Sequence, residues 1–300
     1  DGDVAGNMML NLQRFYSTRA TLKAIVDISG IIFDPKGLDL QILSELFYQG
    51  KPIAFYPPEK LSDGGFLFDK KLLYRKLLEQ VEAEAISEKE AHTLLKTHIH
   101  RVPCDIFIPA GGRPQTLDMT TVSDFLTDDE KPTSKAIIEG ANLYVTQEAR
   151  LFLEKKGTLI IRDSSANKGA VISSSFQVLS LLIMSEEEFL LHKERLVQEI
   201  LDRITLCCSQ EAKMLLSIHK KTNRPMCEIS NEISEVINKR TEEHLQMLGE
   251  LTSEDMEDYM NYQLPLLREK FSEQLKSKVP ESHKRAIIAT MRACRETYGK

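Results

Sequence analysis

Two asparagines stand where a chain can use them on a ligand. Asn142 ends the stretch Glu139-Gly140-Ala141-Asn142, and Asn167 lies in Asp163-Ser164-Ser165-Ala166-Asn167-Lys168-Gly169. Each follows a short apolar run, residues 136–138 and Leu159–Ile161, that is rich in β-branched residues and bounded by turn signals, which reads as a buried parallel strand. Between them residues 147–156 carry a helical pattern, with Thr146 as N-cap and Gly157 as stop. Strand, helix, strand makes a βαβ unit, and ligands of open α/β sheets sit outside the carboxyl ends of the strands. An amide side chain both donates and accepts, so it can hold a ribose hydroxyl or a carboxamide. Gly140 and Gly169 would let backbone approach a ligand closely. One asparagine after a strand is more simply a turn residue; two on adjacent strand ends, each beside Gly and Ala, point to binding.

Other stretches must position this pair. Asp1-Gly2-Asp3-Val4-Ala5-Gly6-Asn7 precedes a helical run over 8–16. A glycine-rich turn opening a helix offers backbone N–H groups and a dipole to a pyrophosphate. In the G-x-G-x-x-G/A fingerprint Gly2 takes the second glycine and Ala5 the third small position; the chain opens inside the motif, without its first glycine or the strand before it. The next strand, 21–26, ends at Asp27. It lies about twenty residues beyond the fingerprint, where an acid receives the adenosine ribose hydroxyls and disfavours a 2′-phosphate. The plainer reading is a turn aspartate before Ser29-Gly30. Residues 104–109 read as a buried strand running into Pro109-Ala110-Gly111-Gly112-Arg113-Pro114, a further strand-end loop whose arginine serves either an anion or surface acids.

These motifs carry a resemblance. EGAN after one strand and D-x-x-x-N-x-G-x-V-x-S-S after the next resemble the cofactor domain of glutamate dehydrogenases, in the Glu/Leu/Phe/Val dehydrogenase superfamily. The series IPAGGRPQT, IIEGAN, TQEAR, SSANKG is most similar to the large NAD-specific branch, and the likeness runs from residue 1 to about 185 and more loosely along the tail. It implies NAD as cofactor and oxidative deamination of L-glutamate to 2-oxoglutarate and ammonia. It further implies that Gly2, Asp3 and Val4 form the pyrophosphate turn, and that Asp27 takes the adenosine ribose. Ala110 and Asn142 would line the nicotinamide ribose, and Asn167 would lie between nicotinamide and substrate. Counting N-x-G-x-V-x-x-S from Asn167 places Ser174 at the serine that binds the substrate's distal carboxylate. Dehydrogenases for branched or aromatic amino acids lack that serine, so Ser174 supports an acidic substrate. Lys168 departs from the small residue more common in the family, and Ile172 from a frequent threonine. The family's catalytic lysine and aspartate belong to a substrate domain upstream of residue 1, so no catalytic residue is assigned in this chain.

The fold expected is α/β: a Rossmann-type doubly wound, mostly parallel sheet over 1–185 with its first strand missing, then an all-helical region over 186–300 packing on it. Helices are also expected from Gly37-Leu38-Asp39 to about Tyr48, over 70–84, and from Ser87 to about His98, where Ser87 and Glu90 form a capping box. Residues 51–65 are a Pro/Gly loop. The run 169–184 is apolar nearly all round and should be buried. The tail reads as helices over 186–221, Met226–Met247, 253–276 and Glu281–Tyr298. By the resemblance, such helices brace the hinge and help subunit contacts, so a homo-oligomer is expected.

A net charge of −6, from 39 basic and 45 acidic residues, argues against a nucleic-acid or anionic-membrane footprint. No apolar stretch reaches the length of about eighteen residues that a membrane helix needs. Five cysteines without a C-x-x-C pattern read as reduced thiols, which fits a cytoplasmic protein; a mitochondrial location stays open because the upstream sequence is missing. His92, His98, His100 and Cys104 are ligand types, yet their spacing matches no compact zinc pattern, and surface or cap histidines are expected. Two other functions remain: a non-catalytic nucleotide-binding or assembly module of the same form, and a dehydrogenase for another amino acid. Fold alone does not separate them.

Overall fold

The computed structural model describes residues 2–299, and the chain divides into two compact units, 1–160 and 161–300. The first unit holds α1 (Asp3–Tyr16), β1 (Ala24–Asp27), β2 (Gly30–Phe33), α2 (Leu40–Tyr48), β3 (Phe66–Phe68), β4 (Leu73–Leu77), β5 (Gln80–Glu84), α3 (Glu88–Arg101), β6 (Cys104–Phe107), β7 (Ser134–Ile138) and α4 (Gln147–Lys155). β8 (Leu159–Ile161) crosses the boundary between the units.

The sheet is not the mostly parallel one expected. β1 to β5 form a five-stranded sheet in chain order, antiparallel throughout. Parallel pairing occurs between β6 and β7, with Cys104 opposite Ser134 and Phe107 opposite Ile137, in a three-stranded sheet ordered β6-β7-β8. The cause is local. Asp27 Oδ1 accepts from Ser29 N–H and Ser29 Oγ at 2.6 Å and from Gly30 N–H at 3.2 Å, reversing the chain in two residues. A parallel neighbour would need a crossover many residues longer. At Gly30 a Cβ would stand 2.0 Å from the Phe68 carbonyl oxygen, so only glycine lets β2 lie this close to β3.

Alternation along these strands builds two cores. Ile32 and Leu67 join Met9 of α1 and Leu43 and Leu46 of α2 on one face. Ile31, Phe66 and Phe68 meet Ala91, Leu94 and Leu95 of α3 on the other. Residues 70–84, expected to be helical, are the hairpin β4–β5. Asp69 Oδ1 takes the Lys71 and Leu72 N–H groups, and Lys70 (φ 71°) and Leu78 (φ 54°) are left-handed, which a helix forbids. Phe107, Ile137, Ala149, Leu153 and Ile160 form the core under α4, whose N-cap is Thr146 as expected. β6 is less buried than expected, since Asp105 and Ile106 face solvent.

The second unit is helical: α5 (Asp163–Ala166), α6 (Lys168–Ile183), α7 (Glu186–Thr222), α8 (Met226–Met247), α9 (Ser253–Tyr262), α10 (Pro265–Lys270), α11 (Ser272–Ser277) and α12 (Glu281–Tyr298). The single helix expected over 253–276 is three, because Gln263 is extended, Pro265 lacks a donor, and Phe271 (φ −129°, ψ 25°) leaves helical geometry. α6 buries Phe176, Leu179, Ser180 and Ile183, one face at helical spacing, against Tyr259, Leu264, Leu267 and Ile288. Its other face is not buried in this chain: Val171 is 70% and Leu181 73% exposed. No described helix is long and apolar enough to cross a membrane.

Replacing Gly30 with alanine should cost about 1–3 kcal/mol of stability, because the added methyl meets fixed backbone. Urea denaturation measures it against Gly249→Ala, where a Cβ meets nothing within 4 Å.

Candidate functional site

Three stretches of the first unit meet at Gly140. A Cβ there would lie 3.3 Å from the Pro109 carbonyl oxygen, 3.4 Å from Val4 Cγ1 and 3.8 Å from Ala110 Cα. The Ala141 N–H donates to the same Pro109 oxygen at 2.7 Å, tying the loop after β7 to the loop after β6. The strand-end loops and the start of α1 are thereby one surface, with exposed Asn142 on it. Leu143 (φ 58°) turns the chain sharply just beyond, and its carbonyl accepts from Gln115 N–H at 2.7 Å. Gly140 thus serves close packing of loops.

α1 begins five residues earlier than expected, so Asp3 and Val4 are first-turn helical residues, not a turn before the helix. Asp1 lies outside the described residues. Gly2 is the N-cap; among the described residues no side chain caps this end, and a Cβ on Gly2 would meet nothing within 4 Å. The first-turn N–H groups have no intrahelical partners, so this helix end suits an anion. Asp27 stands at the β1–β2 hairpin turn instead of at the end of a parallel strand, and its Oδ1 is committed to that turn.

Behind the surface lies a buried ion pair. Arg150 of α4 grips Glu139, the last residue before Gly140, through Nε to Oε1 at 2.7 Å and Nη2 to Oε2 at 2.6 Å. Their side chains are 4% and 0% exposed. A fork-to-fork pair fixes orientation as well as distance. It locks the start of the Asn142 loop to the helix that follows.

His100, expected at the surface or a cap, is buried. Its Nε2 is 2.9 Å from the Tyr144 hydroxyl, its ring packs against Phe107 and Phe125, and its Nδ1 has no hydrogen-bond partner. Burial pushes its pKa down to about 4, and pushes the Tyr144 hydroxyl up. Gly112 (φ 112°) lets the loop after β6 pass Tyr144, whose ring would be 3.1 Å from a Cβ there.

Asn167 and Ser174 belong to the second unit. Asn167 is the joint between α5 and α6 (φ −104°, ψ 18°), with its N–H on the Asp163 carbonyl at 2.8 Å. Ser174 is exposed on α6. Gly169 lets α6 approach α7, with Ile204 Cγ2 3.3 Å from a Cβ there. Sequence reasoning missed Glu139 and Arg150, although both lie inside the motifs quoted; the signal was a charge of each sign among apolar and small residues. It also missed Glu211 of α7, which is 2% exposed and which nothing in the sequence singles out.

An α/β unit with a parallel strand pair, followed by an extensive helical unit, defines the class. The chain belongs to the Glutamate/Leucine/Phenylalanine/Valine dehydrogenase family, whose match runs over residues 1–228. It is 32% identical to Glutamate dehydrogenase 2 of Dictyostelium discoideum, over 71% of this chain and 21% of that protein. It is 30% identical to the Probable NAD-specific glutamate dehydrogenase of Schizosaccharomyces pombe, over 99% and 27%. The NAD-specific glutamate dehydrogenase of Saccharomyces cerevisiae is 34% identical, over 80% and 23%. The chain thus spans between 21% and 27% of the length of these relatives.

Arg150→Met should destabilise the protein by about 3–5 kcal/mol, because the buried Glu139 carboxylate loses both bonds of the guanidinium fork, and Glu139→Gln added to it should recover part of the loss. Denaturant titration of the single and double variants decides it.

A second expectation concerns pH. The folded protein keeps His100 neutral down to about pH 4. The unfolded chain protonates it near 6.5, so stability is complete above that value and falls as pH drops towards 4, by about 3 kcal/mol. Asp124 opposes the shift only in part. His100→Phe should flatten this slope in denaturation curves taken across pH 4–7.

Proposed function

We propose that this chain is the cofactor-binding half of an NAD-dependent glutamate dehydrogenase, taking L-glutamate to 2-oxoglutarate and ammonia. The observation that carries the reading is the meeting of Val4, Pro109-Ala110 and Gly140-Ala141 around one uncapped helix N-terminus. The parallel β6–β7 pair with α4 and β8 would be part of a Rossmann-type sheet, with Asn142 outside the carboxyl end of β7. The domain division proposed remains a cofactor domain over 1–185 with a helical region over 186–300.

NAD, when bound, supplies the hydride acceptor. The N–H groups at Gly2, Asp3 and Val4 hold its pyrophosphate, favoured by the helix dipole. Asp27 takes the adenosine ribose and disfavours a 2′-phosphate. Ala110 lets the backbone approach the nicotinamide ribose, and Asn142 hydrogen-bonds it. Asn167 orients the carboxamide beside the substrate, and the Ser174 hydroxyl donates to the distal carboxylate. Proton transfer falls to residues of the upstream substrate domain. The reading further expects a cytoplasmic homo-oligomer without nucleic-acid or membrane partners, in keeping with the charge of −6.

The test uses the full-length protein, with NAD-linked glutamate oxidation as the assay. Ser174→Ala should raise the KM for glutamate roughly 10–100-fold, the worth of a hydrogen bond to a charged group, and leave the KM for NAD in place. Asn142→Ala should act on NAD instead. A folded full-length protein without NAD-linked turnover of glutamate would favour the binding module; turnover of an apolar amino acid in preference to glutamate would overturn the assigned substrate.

A further inference from the structure

Glu211 stands outside every motif that points to the site, yet it is a buried carboxylate held by three different helices of the helical unit. Its Oε1 accepts from Ser165 Oγ at 2.5 Å. Its Oε2 accepts from the Tyr298 hydroxyl at 2.9 Å and pairs with Lys168 Nζ. Ser165 Oγ is also 2.6 Å from Ser230 Oγ of α8. One carboxylate on α7 therefore fastens α5 through Ser165, α6 through Lys168 and α12 through Tyr298.

Ser165 and Lys168 flank Asn167, two residues before it and one after. Asn167 is the joint between the two helices these residues belong to, and its backbone is non-helical. The direction of a joint residue is set by how the two segments around it are held. Here both are held by the same group. Burying a carboxylate is costly unless charge and hydrogen bonds compensate it, and Glu211 has three such partners. Lys168, the residue that departs from the family's common small one, supplies the charge.

We propose that Glu211 is a positioning residue for Asn167: clamped to Ser165 and Lys168 on either side, it aims the Asn167 amide between nicotinamide and substrate. This rests on the role given to Asn167 in the proposed function.

The experiment is a double-mutant cycle in the full-length enzyme, with glutamate oxidation at saturating NAD as readout. Glu211→Ala should lower kcat roughly 10–100-fold, as expected for a misplacement near 1 Å, with the KM for glutamate little changed. Combined with Asn167→Ala it should add almost nothing to the loss Asn167→Ala causes alone, because both remove the same interaction. Glu211→Gln keeps hydrogen-bonding capacity towards Ser165, Lys168 and Tyr298 and should retain more of kcat than Glu211→Ala, whereas Lys168→Met, which releases the α6 side of the clamp, should lower kcat and add almost nothing to Asn167→Ala. This pair tests the proposal even where Glu211→Ala does not fold. Independent, multiplying effects of Glu211→Ala and Asn167→Ala would overturn it. So would a Glu211→Ala enzyme that melts earlier but turns over normally below its Tm, or a Lys168→Met enzyme that turns over normally. An Asn167→Ala enzyme with an unchanged rate would instead overturn the role of Asn167 itself.

Discussion

The buried pair between Glu139 and Arg150 is the constraint on which the first unit's site depends. Two opposite charges taken from water have to meet in one geometry, and a bidentate guanidinium leaves little freedom in that geometry. Because Glu139 is the last residue before Gly140, fixing it fixes where the chain leaves β7. Gly140 then comes down on Pro109 and Val4, and the three stretches share one surface. An apolar pair of similar volume could fill the same space, but it would not dictate where the loop starts. The pair's specific contribution is therefore direction, over and above any stability.

The second unit solves the same problem with different residues. Its asparagine lies at a joint between two helices, where neither helix alone determines the backbone. Glu211 supplies from α7 what Arg150 supplies from α4: a charged group, reached from a different element, that holds the chain beside the asparagine. In each unit the amide proposed to meet the ligand lies on a loop or joint, and the group that holds its segment lies on a regular helix behind. Loops present ligand groups well only when a rigid element fixes their ends.

Much of this was legible in the sequence where the signal was local. The apolar runs before Asn142 and Asn167, the Thr146 cap, the capping box at Ser87, and the long helices of the tail are each written within a few residues. The strand order was not. Residues 70–84 carry leucines that fit a helix, and what makes them a hairpin is an Asp69 turn, two left-handed residues and a waiting partner in β3. Residues 24–33 turn back on themselves because Asp27 caps its own reversal and because Gly30 alone admits Phe68. Tertiary pairing overrides local pattern at both places.

The site divides along the same line. Asn142, Ala110 and Val4 could be singled out as candidates because their motifs are short and contiguous. Arg150 was visible as a letter of TQEAR but not as a partner of Glu139, since a sequence does not display which charges will be buried. Glu211 was invisible, being one acid among many on a helix of 37 residues, most of whose acids face water. Burial is what separates it from them, and burial is a property of the helices packed around α7. The residues proposed to touch a ligand are thus the readable part of such a site. The charges that hold their segments are set by packing, and they become readable once the fold is known.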